Sequence, residues 1–197
     1  GEPLSSVYVA RMLEFAGTDY IYSVTVHLHR IESFSSIFER AEAVEVSGFR
    51  ALSEVLSRIP LENPLIVAPD EEALPWAREV AEQIGAREVE AFVKKRDLET
   101  GEITTRIPRE LDLSGRDAVI VDDMVSTGGT MANAARELVR MGARRVVAAF
   151  VHPVLVPGSI GRMLGAGVSE IITTDTLEWE GARATVVGLL AEALGAR

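Results

Sequence analysis

The chain has 197 residues, 47% of them hydrophobic, which is enough to bury a full core and is most simply the length of one domain. Its 30 acidic and 20 basic side chains leave a net charge of -10, which argues against a general nucleic-acid surface. The absence of cysteine excludes disulfides, thiolate metal sites and a cysteine nucleophile, and fits a reducing compartment. The opening stretch GEPLSSVYVARMLEF lacks the basic start and apolar centre of a signal peptide, and no apolar run is long enough to span a bilayer. A soluble cytoplasmic protein with neither membrane nor nucleic-acid partners is expected.

Ser5 or Ser6 can cap a first helix, in which Val9, Met12, Leu13 and, at the margin, Phe15 are expected to face inward before Gly17 ends it. Residues 20–27, YIYSVTVH, are β-branched and aromatic and predict a strand. On an extended segment His27 and His29 share one face. That spacing permits metal or phosphate contact, while the residues taken alone favour surface or structural histidines. Residues 30–46 have no clean period and predict a loop with a small excursion. Phe49, Leu52, Val55, Leu56 and Ile59 have helical spacing, and residues 64–68 predict a buried strand followed by Pro69 and Asp70. Glu71 and Glu72 either border the site at Asp70 or occupy the first turn of the next helix, where acids are favoured. In that helix Pro75 falls near the start, and Trp76, Val80, Ala81 and Ile84 form the expected buried stripe.

Residues 88–94 alternate into another strand that delivers Lys94, Lys95 and Arg96 at its end. Lys94 and Lys95 are the only two lysines in the chain, every other strong base being arginine. A compact ammonium retained at one place suggests phosphate contact, against the plainer reading of a solvated turn. The following DLETGEITTRI predicts a hairpin, with a turn near Thr100 and Gly101 and alternation over residues 103–107. A mobile basic hairpin suits phosphoryl transfer, because its cations approach the phosphates only after substrate binds.

Residues 118–131, AVIVDDMVSTGGTM, are the centre of the chain. A β-branched apolar run predicts a strand buried on both faces. Asp122 and Asp123 follow it, then a loop of small residues, then a helix marked by Met131, Ala134, Ala135, Leu138 and Met141 at helical spacing. N–H groups at a helix start favour an anion. Gly128 and Gly129 let the backbone approach a phosphate, and Ser126, Thr127 and Thr130 can add hydroxyl donors. Asp122 and Asp123 repel that anion, so sugar hydroxyls or a divalent metal are their natural partners. A phosphorylated sugar satisfies both halves. The competing reading is a strand-to-helix turn bent by glycines and capped by aspartates.

Residues 144–151 predict a strand leading to His152, Ser159 a cap for a short helix, residues 169–174 a last parallel strand, and residues 186–194 a closing helix. Strands alternating with helices indicate an α/β fold, a parallel sheet flanked by helices on both faces. Ligands in such folds bind at the carboxyl ends of the strands, where Asp70, Lys94, Asp122 and His152 all fall.

These motifs resemble the signature that phosphoribosyltransferases share with ribose-phosphate pyrophosphokinases, and most closely the latter, on GEP, HLH, HPVL and TTDT. Ser126 stands where the family usually has Asp, a variant associated with archaeal members. The resemblance implies a phosphoribosyltransferase type I fold with a flexible basic hairpin. It also implies a transferase that moves pyrophosphate from Mg-ATP to ribose 5-phosphate, giving phosphoribosyl pyrophosphate and AMP. By the resemblance Asp122 and Asp123 face the ribose, and Ser126, Thr127, Gly128, Gly129 and Thr130 hold the 5-phosphate. His29 and Asp70 hold the Mg²⁺ nucleotide, and Lys94 and Arg96 stabilise the group in transit. His27 replaces a family aspartate. The match covers the family's second part without its preceding amino-terminal domain, and the family implies a homo-oligomer. The alternatives are a phosphoribosyltransferase that consumes phosphoribosyl pyrophosphate, and a non-catalytic regulatory or binding homologue.

Overall fold

The computed structural model describes residues 5–28, 31–96, 103–107 and 111–195. It divides into two compact units, residues 1–48 with 186–197, and residues 49–185.

The smaller unit holds helix α1 (Ser5–Phe15), strands β1 (Tyr20–Val24) and β2 (Glu42–Val46), and the last helix of the chain. β1 and β2 run parallel, with Tyr20 opposite Glu42. The expected loop over residues 30–46 therefore ends in a strand, whose alternation is confined to five residues, EAVEV. β1 stops three residues earlier than expected because Thr25 turns out of extended geometry at φ 41°. Its hydroxyl accepts the Gly48 N–H at 2.9 Å. The face of α1 is also corrected. Val9, Met12, Leu13 and Phe15 are exposed, Phe15 by 92%, and the buried residues are Ala10 and Glu14. The reason is polar: Glu14 Oε1 accepts the N–H groups of Glu39, Arg40 and Ala41 at 2.8, 2.6 and 2.9 Å. These bonds hold its carboxyl below the usual range.

The larger unit contains α2 (Phe49–Leu56), β3 (Leu65–Ala68), α3 (Leu74–Ile84), β4 (Glu88–Ala91), β5 (Val93–Arg96), β6 (Ile103–Arg106), β7 (Asp117–Val125), α4 (Gly129–Arg140), β8 (Arg145–Pro153), α5 (Ser159–Gly165) and β9 (Val168–Thr173). The closing helix α6 (Val187–Gly195) belongs to the smaller unit. Five parallel strands form one sheet in the order β4-β3-β7-β8-β9. On one face Leu65, Val67, Ala118, Ile120, Val146, Ala148 and Phe150 pack with Met131, Ala135 and Leu138 of α4 and Met163 of α5. The alternate residues Ile66, Val119, Val121, Val147 and Ala149 are fully buried and point the other way. Burial on both faces explains why these strands read as unbroken apolar runs. Among the described residues no helix is long and apolar enough to cross a membrane.

The strand expected over residues 88–94 is two strands. Phe92, fully buried, donates its N–H to the Ala68 carbonyl at 3.0 Å, and the chain then leaves the sheet. Beyond it β5 pairs antiparallel with β6, Val93 opposite Arg106 and Lys94 opposite Thr105. The expected second strand of the hairpin is present as β6, but its partner is β5, which lies ahead of residues 97–107, and the expected turn lies outside the described residues. Glu71 and Glu72 do not occupy the first turn of the next helix. Both are exposed in a turn before α3, whose N-cap is Ala73, and no acid lies in its first turn. The buried residues of α3 are Ala77, Val80 and Ala81, with Trp76 half-buried and stacked on Phe49 at 5.7 Å.

At the amino end of β7 the Asp117 carboxylate is fully buried and accepts the Glu62 N–H at 2.9 Å, Arg144 at 2.7 Å and Arg145 at 2.9 Å. Burial pushes this carboxyl up, yet the three donors outweigh it and hold the group below its usual range.

Candidate functional site

Strand order places the site. From β3 the chain continues to β4 on one side, and it returns to add β7, β8 and β9 on the other. The sheet therefore reverses direction between β3 and β7, and a crevice opens at the carboxyl ends of such a pair. β3 pairs with β7 only through Leu65, Ile66 and Val67, opposite Ala118, Val119 and Ile120. From Val121 onward β7 pairs with β8 alone. That overhang carries Asp122 and Asp123, and Asp70 follows the end of β3 across from it.

A cavity of about 230 Å³ lies here, lined by Asp122, Met124, Val125, Ser126, Thr127, Gly128, Gly129, Thr130 and Met131. Six of the expected site residues thus come together, with Ser126, Thr127 and Thr130 exposed to solvent. Asp123 does not line the cavity. Successive strand residues point to opposite faces, and Asp123 is only 2% exposed, with its Oδ1 accepting the Met124 N–H at 2.7 Å. Asp122 is half-buried and accepts the Asp123 N–H at 3.0 Å.

The electrostatics separate the two aspartates further. Burial pushes the Asp122 carboxyl up from 3.8 to about 8, helped by the negative charges of Asp123 and Asp70. Between those two values the folded chain holds a proton that the unfolded chain releases, so stability falls as pH rises through that window. Asn imitates the protonated form. Asp122→Asn should therefore melt at the parent's temperature near pH 4 and above it near pH 9. Thermal denaturation followed by circular dichroism at the two pH values checks this, and a gap that fails to widen counts against the raised carboxyl.

The loop leads into the start of α4. Gly128 is the N-cap of α4 at φ 71° and, being glycine, offers no capping side chain. The first helical bond runs from Ala132 N–H to the Gly128 carbonyl at 2.9 Å. Thr127 Oγ1 accepts the Gly129 N–H at 3.3 Å, which leaves the Thr127 hydroxyl proton to donate elsewhere. Only Gly128 needs its missing side chain. A Cβ there would lie 3.0 Å from the Ser159 carbonyl oxygen and 3.1 Å from Met163 Cγ, whereas one at Gly129 would meet only Thr127 Oγ1 at 3.5 Å.

Other expected residues are placed differently. His29 lies outside the described residues, and His27 is exposed. Among the described residues no three metal-ligating side chains converge. Lys94 and Arg96 lie on β5, and their backbones follow the Phe92 anchor. His152 sits in β8 opposite Met124, and its Nδ1 meets Thr176 Oγ1 at 3.0 Å. Ser159 does not cap α5, because its hydroxyl donates back to the Val156 carbonyl at 2.8 Å, and Gly158 takes the cap position. Sequence reasoning missed the residues behind the loop, Val156, Ser159, Arg162 and Met163. Nothing in the SIGRML pattern distinguishes a helix that buttresses a loop from one that merely covers a sheet.

Residues 36–162 match the family model described as Phosphoribosyl transferase domain. The ribose-phosphate pyrophosphokinase of Methanothermobacter thermautotrophicus is 40% identical over 194 residues, 98% of this chain and 65% of that protein. That of Sulfurisphaera tokodaii is 35% identical, over 95% of this chain and 62% of its own length. The crystal structure of phosphoribosylpyrophosphate synthetase from Mycobacterium smegmatis superposes with a TM-score of 0.84 at 28% identity, over 99% of this chain and 64% of that one. The chain spans less than two thirds of the length of these relatives. A strand, acidic pair, glycine loop and helix at the sheet's reversal point, together with a family match over most of the chain, place it in the phosphoribosyl transferase domain family, and proteins named ribose-phosphate pyrophosphokinase are among those it is similar to.

Proposed function

We propose that this chain binds ribose 5-phosphate and catalyses its reaction with ATP as a ribose-phosphate pyrophosphokinase does. The reading rests on the cavity that sets the Asp122 carboxylate against the loop of residues 126–130, an acceptor beside a cradle of donors. In the reaction the C1 hydroxyl oxygen of ribose 5-phosphate bonds to the β-phosphorus of ATP. The bond from that phosphorus to the oxygen bridging the α-phosphate breaks, AMP leaves with that oxygen, and the hydroxyl proton is released. Ser126, Thr127, Gly128, Gly129 and Thr130 bind the 5-phosphate through N–H and hydroxyl donors. Asp122 accepts ribose hydroxyls from the cavity wall, and Asp123 supports it from behind. Lys94 and Arg96 stabilise charge on the group in transit.

The donor set suits Mg²⁺. Asp123 and Asp70 both raise Asp122 by their charge, and a hard divalent cation relieves that repulsion. Mg²⁺ binds through one or two carboxylates together with substrate phosphates, so a cage of three protein ligands is not required. Asp70 and His29 are the residues assigned to it, and when bound it withdraws charge from the phosphate oxygens. The same reading carries ATP and phosphoribosyl pyrophosphate as ligands, a cytoplasmic location and assembly into a homo-oligomer.

Phosphorus NMR of the chain with ribose 5-phosphate, ATP and Mg²⁺ tests the reaction. AMP and phosphoribosyl pyrophosphate should appear together. Ribose 5-phosphate bound without AMP release would overturn catalysis by this chain and leave a sugar-phosphate-binding module.

A further inference from the structure

Behind the loop, α5 and the segment leading into it fasten two consecutive peptide groups. Val156 donates its N–H to the Ser126 carbonyl at 3.3 Å. Arg162 donates from Nη1 to the Thr127 carbonyl at 3.1 Å. A trans peptide is planar, so its C=O and N–H point in opposite directions. Holding the Ser126 oxygen outward therefore turns the Thr127 N–H the other way, and holding the Thr127 oxygen outward does the same for the Gly128 N–H. The second peptide has most need of a lock. It adjoins Gly128, whose φ of 71° is the freest point of the loop. If it flipped, a carbonyl oxygen would replace an N–H beside the cavity, and an acceptor repels an anion.

We propose that Arg162 is a positioning residue for the 5-phosphate loop, holding the Thr127 carbonyl away from the cavity so that the Gly128 N–H stays available to a phosphate. The assignment rests on the reading of residues 126–130 as the phosphate site. Arg162 does not line the cavity and belongs to no part of the proposed chemistry. Its bond to the loop crosses 35 residues of sequence, so the loop's shape depends on α5 as well as on its own glycines. Because Arg162 acts on one peptide group, its removal should weaken phosphate capture and leave the fold intact.

Isothermal titration of ribose 5-phosphate into the full chain, Arg162→Ala and Arg162→Lys, with the Gly128 amide signal followed by ¹⁵N NMR, tests this. The parent should bind, Arg162→Ala should bind about tenfold more weakly, and Arg162→Lys should recover part of the loss. All three should share one melting temperature. The Gly128 amide should shift on ligand addition in the parent and respond less in Arg162→Ala. Equal affinity in parent and both variants would overturn the role of Arg162 and leave the phosphate site standing. A parent that binds no ribose 5-phosphate would overturn the phosphate-site reading itself. Loss of affinity together with a lowered melting temperature in both variants would make Arg162 a structural residue and overturn the positioning role.

Discussion

Gly128→Val should abolish ribose 5-phosphate binding and lower the melting temperature, while Gly129→Ala should fold like the parent. The two glycines look equivalent in sequence and are not so in space. Gly128 sits at φ 71°, where a residue with a Cβ costs about 1–2 kcal/mol and a β-branched one more. The new Cβ would also press on the Ser159 carbonyl oxygen at 3.0 Å and on Met163 Cγ at 3.1 Å. Met163 is a flexible side chain and can move, but the Ser159 oxygen is backbone, so the loop must give way. Overpacking of this kind adds about 1–3 kcal/mol. The sum is about 2–5 kcal/mol, and what yields is the peptide proposed to present donors to the cavity, so an affinity loss of at least about thirtyfold is expected. At Gly129 the only neighbour is Thr127 Oγ1 at 3.5 Å, an ordinary contact. Calorimetric titration and thermal melting of both variants check the contrast, and a Gly128→Val chain that still binds the sugar phosphate would remove the loop from the site.

Lys94→Ala should lower turnover by about 10²–10³, with ribose 5-phosphate affinity changed little. In the proposed reaction negative charge gathers on the leaving phosphate and on the group in transit, and a cation there would act on the transition state more than on the bound sugar. The chain has two lysines, both on β5, and uses arginine everywhere else. A compact ammonium concentrates its charge on one oxygen, where a guanidinium spreads it over a fork. Lys94→Arg should therefore restore only part of the rate. Single-turnover kinetics beside equilibrium titration separates the two effects. A variant whose defect lies in binding would reassign Lys94 to the ground state.

The elements legible in the sequence were those whose pattern arises from burial on both faces of a sheet or on one face of a helix. Residues 118–121 and 146–151 are unbroken apolar runs because β7 and β8 are central strands, and Met131, Ala135 and Leu138 line α4 for the same reason. The cavity was legible as well, since Asp122 and residues 126–130 lie in one continuous stretch. Where tertiary polar contacts decide, the pattern misleads. α1 turns Glu14 inward because three N–H groups at residues 39–41 need an acceptor, and hydrophobic spacing carries no trace of that need. Phe92 looks like one more residue of an alternating strand, yet its bond to Ala68 marks where the chain leaves the sheet. Asp122 and Asp123 read as a pair, and only the structure shows that Asp122 lines the cavity while Asp123 is buried beside it. Arg162 gave no signal at all, because its partner is a carbonyl 35 residues away.

The burial of both hairpin ends has a mechanical consequence. Phe92 enters β5 and Ile107 leaves β6, 0% and 7% exposed, and both belong to one apolar cluster. Between them the ladder ties Val93 to Arg106 and Lys94 to Thr105, so neither strand can slide without breaking its bonds to the other. For a body pinned at two adjacent points and braced internally, the motion least opposed by these contacts would be a swing about the line joining the pins. Such a swing would turn the backbones of Lys94 and Arg96 through the same angle.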